Sequence, residues 1–457
     1  MIPTEIVTNL AHRIGMDKSI AYSSGSRVVQ GITGVGSVFF ITTFLTGIEQ
    51  GFYYTFGSIL ALQVFFELGL TSIITQYVAH EASHLNLNEQ FEYEGEERYQ
   101  SRLASLVHFC AKWYSILAIV VFLFLLVVGF VFFKNYSKDY ADVHWLFPWI
   151  LICFGTSVNL FFAPFSSILM GVGKVKDISK IGFWQQIILP LTSWMGLVLG
   201  FKLYVLGIGH VLGGLVWLVY MWKTNLIQII INLWKVKITE KVVYFKEIFP
   251  YQWRIALSWV SGYFIFQLFN PVLFATEGAV VAGQMGMTMQ ALNAIQAFSM
   301  SWLNTKVPLY SQLIALKDYL KLDAVFNKTL KQMTNMCLFL LILFFCLIVV
   351  LNFTQLRFGK NVIAERFLGY IPLLLLMITI YLNQYTSSWA TYLRCHKQEP
   401  FLLISICGAL ADGMSTLILG YQYGLYGMLI GYCALTLLFF PWGYHIYLTK
   451  KSEWHHE

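Results

Sequence analysis

Residues 105–133 read SLVHFCAKWYSILAIVVFLFLLVVGFVFF, and beyond Lys112 no charge interrupts them. An α-helix rises about 1.5 Å per residue, so about 20 apolar residues cross the roughly 30 Å hydrocarbon core of a bilayer. In lipid such a helix satisfies its own backbone groups, whereas in water it would expose an apolar surface that no small domain covers. The stretch predicts a spanning helix.

The same pattern recurs in both directions from this segment. Of 457 residues, 58% are hydrophobic and 12% charged, and the mean hydropathy is +0.65. Spans are predicted near 25–47, 52–78, 105–133, 144–172, 178–201 and 204–231, then 255–275, 279–303, 333–353, 367–393, 401–421 and 424–447. The fold class is all-α and polytopic, with about twelve transmembrane helices. The 14 Trp and 26 Tyr suit helix ends at the headgroups.

Several function classes are excluded. The net charge of +7 is spread thinly between apolar runs, so no nucleic-acid partner is expected. Cys110, Cys153, Cys337, Cys346, Cys395, Cys407 and Cys433 show no ligand spacing, nor do His80, His108, His144 and His210. No metal or other cofactor is expected. The chain carries no GxxxxGK[ST] loop and no connection long enough for a nucleotide domain, so no nucleotide partner is expected. Met1–Ser24 lacks a signal-peptide pattern, and the first span is expected to direct insertion itself.

Basic residues set the orientation, because cytoplasmic loops retain them. With the N-terminus inside, only Lys134, Lys138, Lys202, Arg357, Lys360 and Arg366 of the 30 Lys and Arg fall outside. Both termini are expected in the cytoplasm. The longest connections, near 79–104, 232–254 and 304–332, then also lie inside, the first an acidic, solvated segment.

Sliding the second half back by roughly 220 residues reveals an internal repeat. Arg27 falls on Arg254, Gly51 on Gly278, Gly57 on Gly286, Pro148 on Pro372 and Lys174 on Lys397. The stretch from Gly207 to Gly213 falls on that from Gly424 to Gly431. Two homologous six-helix lobes are expected around a central cleft. They comprise 25–231 and 255–447, with a cytoplasmic N-terminal segment 1–24, a linker 232–254 and a tail 448–457. An even helix count gives both lobes the same orientation and suits rocking, alternating access.

Polar side chains inside spans are costly in lipid and face a cleft or one another. Gln63, Glu67, Thr71 and Thr75 recur every four residues, which is one stripe of a helix. Gln290, Asn293, Gln296, Ser301 and Asn304 form a comparable stripe in the eighth span. Cleft lining and hydrogen bonding within a lobe both fit these residues. Glu67 and Asp412 are the two deep carboxylates and the candidates for H+ or Na+ coupling; a protonated or locally satisfied structural acid is the other role. Arg27 and Arg254, at the cytoplasmic ends of the first helix of each lobe, fit either bidentate phosphate contacts or snorkelling anchors.

The stretch Phe44-Leu-Thr-Gly-Ile-Glu-Gln-Gly-Phe-Tyr-Tyr54, followed by Phe66-Glu-Leu-Gly-Leu70, resembles the opening helices of bacterial polysaccharide flippases. It lacks the proline that family carries before Glu49, having Gly47-Ile48 instead. Leu169-Met-Gly-Val-Gly-Lys174 resembles the family's small-residue and basic turn. These flippases form the polysaccharide transporter branch of the multidrug/oligosaccharidyl-lipid/polysaccharide (MOP) exporter superfamily. The resemblance implies alternating-access movement of an undecaprenyl-pyrophosphate-linked oligosaccharide across the bacterial inner membrane, for lipopolysaccharide O-antigen or capsule assembly. It implies a lipid-linked oligosaccharide and membrane lipids as partners. Arg27 and Arg254 would hold the pyrophosphate, and Gln63, Gln290, Asn293 and Gln296 would bind sugar hydroxyls. A cation-coupled multidrug or metabolite antiporter of the same superfamily is the alternative. A sugar-facilitator carrier is disfavoured, because Ala79–Leu103 lacks that group's Gly-x-x-x-Asp-Arg-x-Gly-Arg signature. Short outside loops and dispersed histidines give no support to an enzyme.

Overall fold

The computed structural model describes Val29, Thr33, Gly34 and residues 36–455 apart from Gly359, Lys360 and Lys397. Arg27 lies outside the described residues. The first helix, α1, covers 36–44. It is followed by α2 (Gly47–Leu60), a 3-10 turn (Ala61–Gln63), α3 (Val64–Glu67) and α4 (Leu70–Ala82). A hairpin of β1 (Leu85–Leu87) and β2 (Tyr93–Gly95) leads to α5 (Glu97–Tyr136), α6 (Leu146–Gly171), α7 (Val175–Val198), α8 (Tyr204–Lys223), α9 (Ile227–Lys235) and α10 (Tyr244–Glu247). Then come α11 (Phe249–Phe266), α12 (Phe269–Thr276), α13 (Ala279–Asn304), α14 (Val307–Ala315) and α15 (Tyr319–Thr354). A short hairpin, β3 (Arg357–Phe358) with β4 (Asn361–Val362), and a 3-10 turn (Ala364–Arg366) precede α16 (Tyr370–Arg394) and α17 (Leu402–His455).

The stretch that opened the sequence reading is the heart of α5. Leu117, Val121, Leu125 and Phe133 are buried on one face. Ile119, Leu123, Val127 and Val131, at the same spacing, are more than half exposed. A helix apolar on its buried and exposed faces alike belongs in lipid. Among the described residues, five helices are long and apolar enough to cross a membrane singly, and α2 to α4 make a sixth when the bent pair counts as one span.

Two of the expected spans are not single straight helices. The second span breaks by 43° between α3 and α4, where Leu68 (φ 51°) and Gly69 (φ 69°) are both left-handed. The seventh breaks between α11 and α12. The eleventh and twelfth, covered together by α17, are two helices that meet in a kink at Gly424 (φ 58°, ψ −143°), where the sequence places the boundary between them. Only glycine adopts that backbone without strain. The Glu277 carboxylate fills the space a Cβ would need there and accepts the Leu425 N–H.

The chain divides into two compact units. Among the described residues, unit 1 holds Val29, Thr33 and those of 62–135 and 141–256, and unit 2 those of 34–61, 136–140 and 257–455. In unit 1, α6 packs on α4 and α8, and α8 on α7. Asn159 ties two of these helices by donating to the carbonyls of Gly155 (2.8 Å) and His210 (2.7 Å). In unit 2, α13 packs on α2, α12 and α15, and α17 on α16 and α12. Residues 34–61, which the repeat assigns to the first lobe, therefore pack within unit 2. The cause is local: Gly51 of α2 lies directly on the backbone of Ala279 in α13, with no room for a Cβ.

Candidate functional site

The polar interior of unit 2 begins with α16. Asn383, Ser387, Thr391 and Arg394 follow one another at spacings of four, four and three, so they share one helix face. That face lines a cavity of about 400 Å3 together with Gln296 of α13 and Asp412 and Tyr432 of α17. Asp412 is 8% exposed, and its Oδ1 is buried without a hydrogen-bond partner among the described residues. Asn383 donates through Nδ2 to the Tyr432 hydroxyl (3.2 Å). Gln384 donates through Nε2 to the Gln296 carbonyl (3.3 Å), leaving its own Oε1 buried and unsatisfied. Leaving a buried carboxylate oxygen unpaired is costly, and a proton or a cation relieves that cost. The surrounding amides and hydroxyls supply oxygen donors suited to a hard cation.

In unit 1 the second carboxylate sits at the helix break. Glu67 is the last residue of α3, and Thr71 in the first turn of α4 donates to its Oε1 (2.6 Å). Thr75 donates to the Ser167 carbonyl (3.2 Å). The expected continuous stripe from Gln63 to Thr75 is corrected: Gln63 ends a 3-10 turn, and the left-handed pair Leu68–Gly69 separates Glu67 from the helix that carries Thr71 and Thr75. A stripe at fixed spacing requires unbroken helix.

The remaining candidates separate. Gln290 accepts from the Tyr54 hydroxyl (2.5 Å) and donates to the Gly34 carbonyl (3.2 Å), so both ends of its amide are engaged in packing. Asn293 is exposed. Arg254 lies on α11, and its side chain is outside what the structure describes, as is the whole of Arg27. Of the predicted residues, Gln296 and Asp412 are brought into one cavity. Asn383, Ser387, Thr391, Arg394 and Tyr432 were not anticipated. For the first four the signal is the polar face of α16, at the same helical spacing that singles out the second and eighth spans; Tyr432 lies on α17 and carries no such signal.

No family model matches this chain, and no curated protein matches it. Solved structures do. It is similar to a multidrug resistance MATE family transporter of the MOP superfamily in its inward-facing conformation, at 13% identity over 93% of this chain and 98% of that one, with a TM-score of 0.59. The outward-facing conformation of such a transporter aligns at 13% identity over 96% and 97%, with a TM-score of 0.54. A MOP superfamily transporter from Pyrococcus furiosus, described as having a binding pocket of reverse polarity that suggests a different function, aligns at 13% identity over 96% and 97%, with a TM-score of 0.52. The chain thus has the fold of MATE transporters, which carry 12 helices in two lobes.

Proposed function

We propose that this chain is a cation-coupled, alternating-access transporter in which Asp412 takes up the coupling ion, H+ or Na+. The observation that carries the proposal is the unpartnered Oδ1 of Asp412 in a cavity whose polar lining is amides, hydroxyls and Arg394. Binding of a proton or cation there changes the charge of unit 2 by one, which gives an ion gradient purchase on a conformational equilibrium. MATE transporters provide the precedent for the fold and for multidrug cargo. The test is uptake by reconstituted protein under an imposed pH or Na+ gradient. Asp412→Asn is expected to abolish gradient-driven transport while leaving the protein folded; transport that kept its full gradient dependence would refute the role of Asp412.

A lipid-linked oligosaccharide is the second cargo reading. Two observations favour it: the flippase-like stretches at 44–54 and 66–70, and a cavity whose lining beyond Asp412 and Arg394 is uncharged, with many hydroxyl and amide groups. Amides and hydroxyls match sugar hydroxyls, and a highly hydroxylated glycan needs a hydrated path through hydrocarbon. On this reading the protein resides in the bacterial inner membrane with both termini in the cytoplasm, as the loop charges indicate. Complementation of a glycan-export mutant against protection from cationic drugs separates the two cargoes. Complementation without drug protection assigns the glycan; the reverse assigns multidrug export.

A further inference from the structure

A second cavity, of about 620 Å3, lies within unit 2 where α13 turns into α14 and where α16 ends. Asn304, Ser311, Thr391, Arg394 and His396 supply its polar wall, and Val307 and Ile314 stand among its apolar residues. Among the described residues no carboxylate lines it. Arg394 turns only its Nε to Glu399, at 3.0 and 2.9 Å from the two carboxylate oxygens. Among the described residues nothing accepts from its two terminal nitrogens. His396 is fixed against Trp454, with ring centroids 4.7 Å apart, yet its Nε2 is buried and has no partner among the described residues. Burial and the neighbouring His455 hold the imidazole well below its usual range, at about 4, against the opposing pull of Asp323.

This wall offers a guanidinium with free N–H groups, an amide, two hydroxyls and an unsatisfied ring nitrogen. With no carboxylate in this wall to offset Arg394, a cation would be repelled, and a neutral ligand would leave the guanidinium fork unused. A tetrahedral oxyanion takes the fork in bidentate fashion and has acceptor oxygens left for Asn304, Ser311 and His396. The volume exceeds that of a bare phosphate and leaves room for an attached glycerol or sugar.

We propose that this cavity binds a phosphate group, as an inorganic ion or as the monoester or diester of a larger molecule, with Arg394 as its anchor. The site stands apart from the question of cargo. Thr391 and Arg394 also line the cavity of Asp412, so a bound phosphate neutralises a charge shared by the two cavities.

The test is isothermal titration of the full-length chain, in a neutral detergent, with inorganic phosphate and with the short-chain lipid dihexanoylphosphatidylglycerol. Saturable binding of either probe is expected. Arg394→Gln should weaken it by about tenfold or more, the usual loss for a hydrogen bond to a charged group. Ile314→Trp, which fills the cavity without touching a polar group, should abolish it. Binding of the lipid alone identifies a headgroup site, and equal binding of inorganic phosphate identifies a soluble ligand. If Arg394→Gln fails to fold, the Ile314→Trp variant decides. Absence of binding by both probes, or wild-type affinity in the folded variants, overturns the proposal.

Discussion

Arg366→Met should loosen the end of the first helix. Arg366 follows the β3–β4 hairpin and is 5% exposed. Its Nη2 donates to the Leu45 carbonyl at 2.6 Å, and its Nη1 lies 3.5 Å from Gln50 Oε1. Gln50 in turn donates to the carbonyls of Gly283 (2.8 Å) and Arg366 (3.1 Å). Asn361 Nδ2 stands 3.3 Å from the carbonyls of Thr42, Thr43 and Leu45. The last carbonyls of a helix have no partner within it, so α1 borrows its closing donors from a loop more than 300 residues away in sequence. Methionine keeps the length and removes the donors. The short bond to Leu45 accounts for most of the loss, because the 3.5 Å contact is at the limit of a hydrogen bond. The Leu45 carbonyl keeps only the longer contact from Asn361, so loss of its hydrogen bond to a charged donor together with the second contact costs about 2–4 kcal/mol. Local opening should therefore rise by roughly 30- to 1000-fold, since each 1.4 kcal/mol is a factor of ten. Hydrogen–deuterium exchange read by mass spectrometry measures this directly. Peptides covering 42–50 and 361–368 should exchange faster by that factor, while those of α5 stay unchanged. Unaltered protection at 42–50 would refute the assignment of Arg366 as the clasp on α1.

Three further outcomes follow from packing and charge. Because the His396 pKa in the folded chain, about 4, lies below its unfolded value, its contribution to stability is present above about pH 6.5 and is lost as pH falls toward 4. His396→Phe should remove roughly 1 kcal/mol of that acid sensitivity, discounted because the ring is only partly buried, in denaturation midpoints compared at pH 7 and pH 5. Gly51→Ala forces a Cβ into the Ala279 backbone and should cost about 1–3 kcal/mol, read as a lowered thermal midpoint; an unchanged midpoint would mean that α2 and α13 can separate without loss. Ser101 Oγ accepts from the N–H groups of Thr239 (2.7 Å) and Glu240 (2.8 Å), so Ser101→Ala should speed proteolysis within 236–243 by roughly tenfold, at about 1–3 kcal/mol for the orphaned donors.

Most of the helices were legible because lipid leaves the sequence little choice. A chain that cannot hydrogen-bond its surroundings must form helices of about 20 residues, and α5, α6, α8 and α15 announce themselves by length and apolarity alone. The breaks were harder. Gly69 is a visible signal, but Leu68 adopts the left-handed region with a branched side chain, which nothing in its identity requires. Gly424 is visible as a glycine of the repeat, and it stands at the kink between the two helices expected there. The site was half legible. Asp412 declared itself by its charge at depth, whereas Asn383 and Thr391 are uncharged and gain meaning only when α16 faces α17. Arg366, counted by sequence only as an outside charge, is a buried donor whose acceptors are the Leu45 carbonyl and Gln50 Oε1, where α1 gives way to α2.

The same comparison bears on what the flippase-like stretch means. Thr46 and Glu49 close a capping box at the start of α2, with Thr46 Oγ1 accepting from the Glu49 N–H and Glu49 accepting from the Thr46 N–H. Gln50 holds two carbonyls of unit 2, and Gly51 admits α13 at backbone contact. Tyr54 donates to Gln290. Five residues of the motif thus have structural duties that suffice to explain their presence without any cargo contact. A motif retained for these duties marks a way of packing α2 on α13, and transporters of different cargo can share it. What distinguishes cargo must then lie among residues with no such duty. In unit 2 those are the face of α16 and the unpaired carboxylate of Asp412, where substitution leaves the helix ends and their clasps intact.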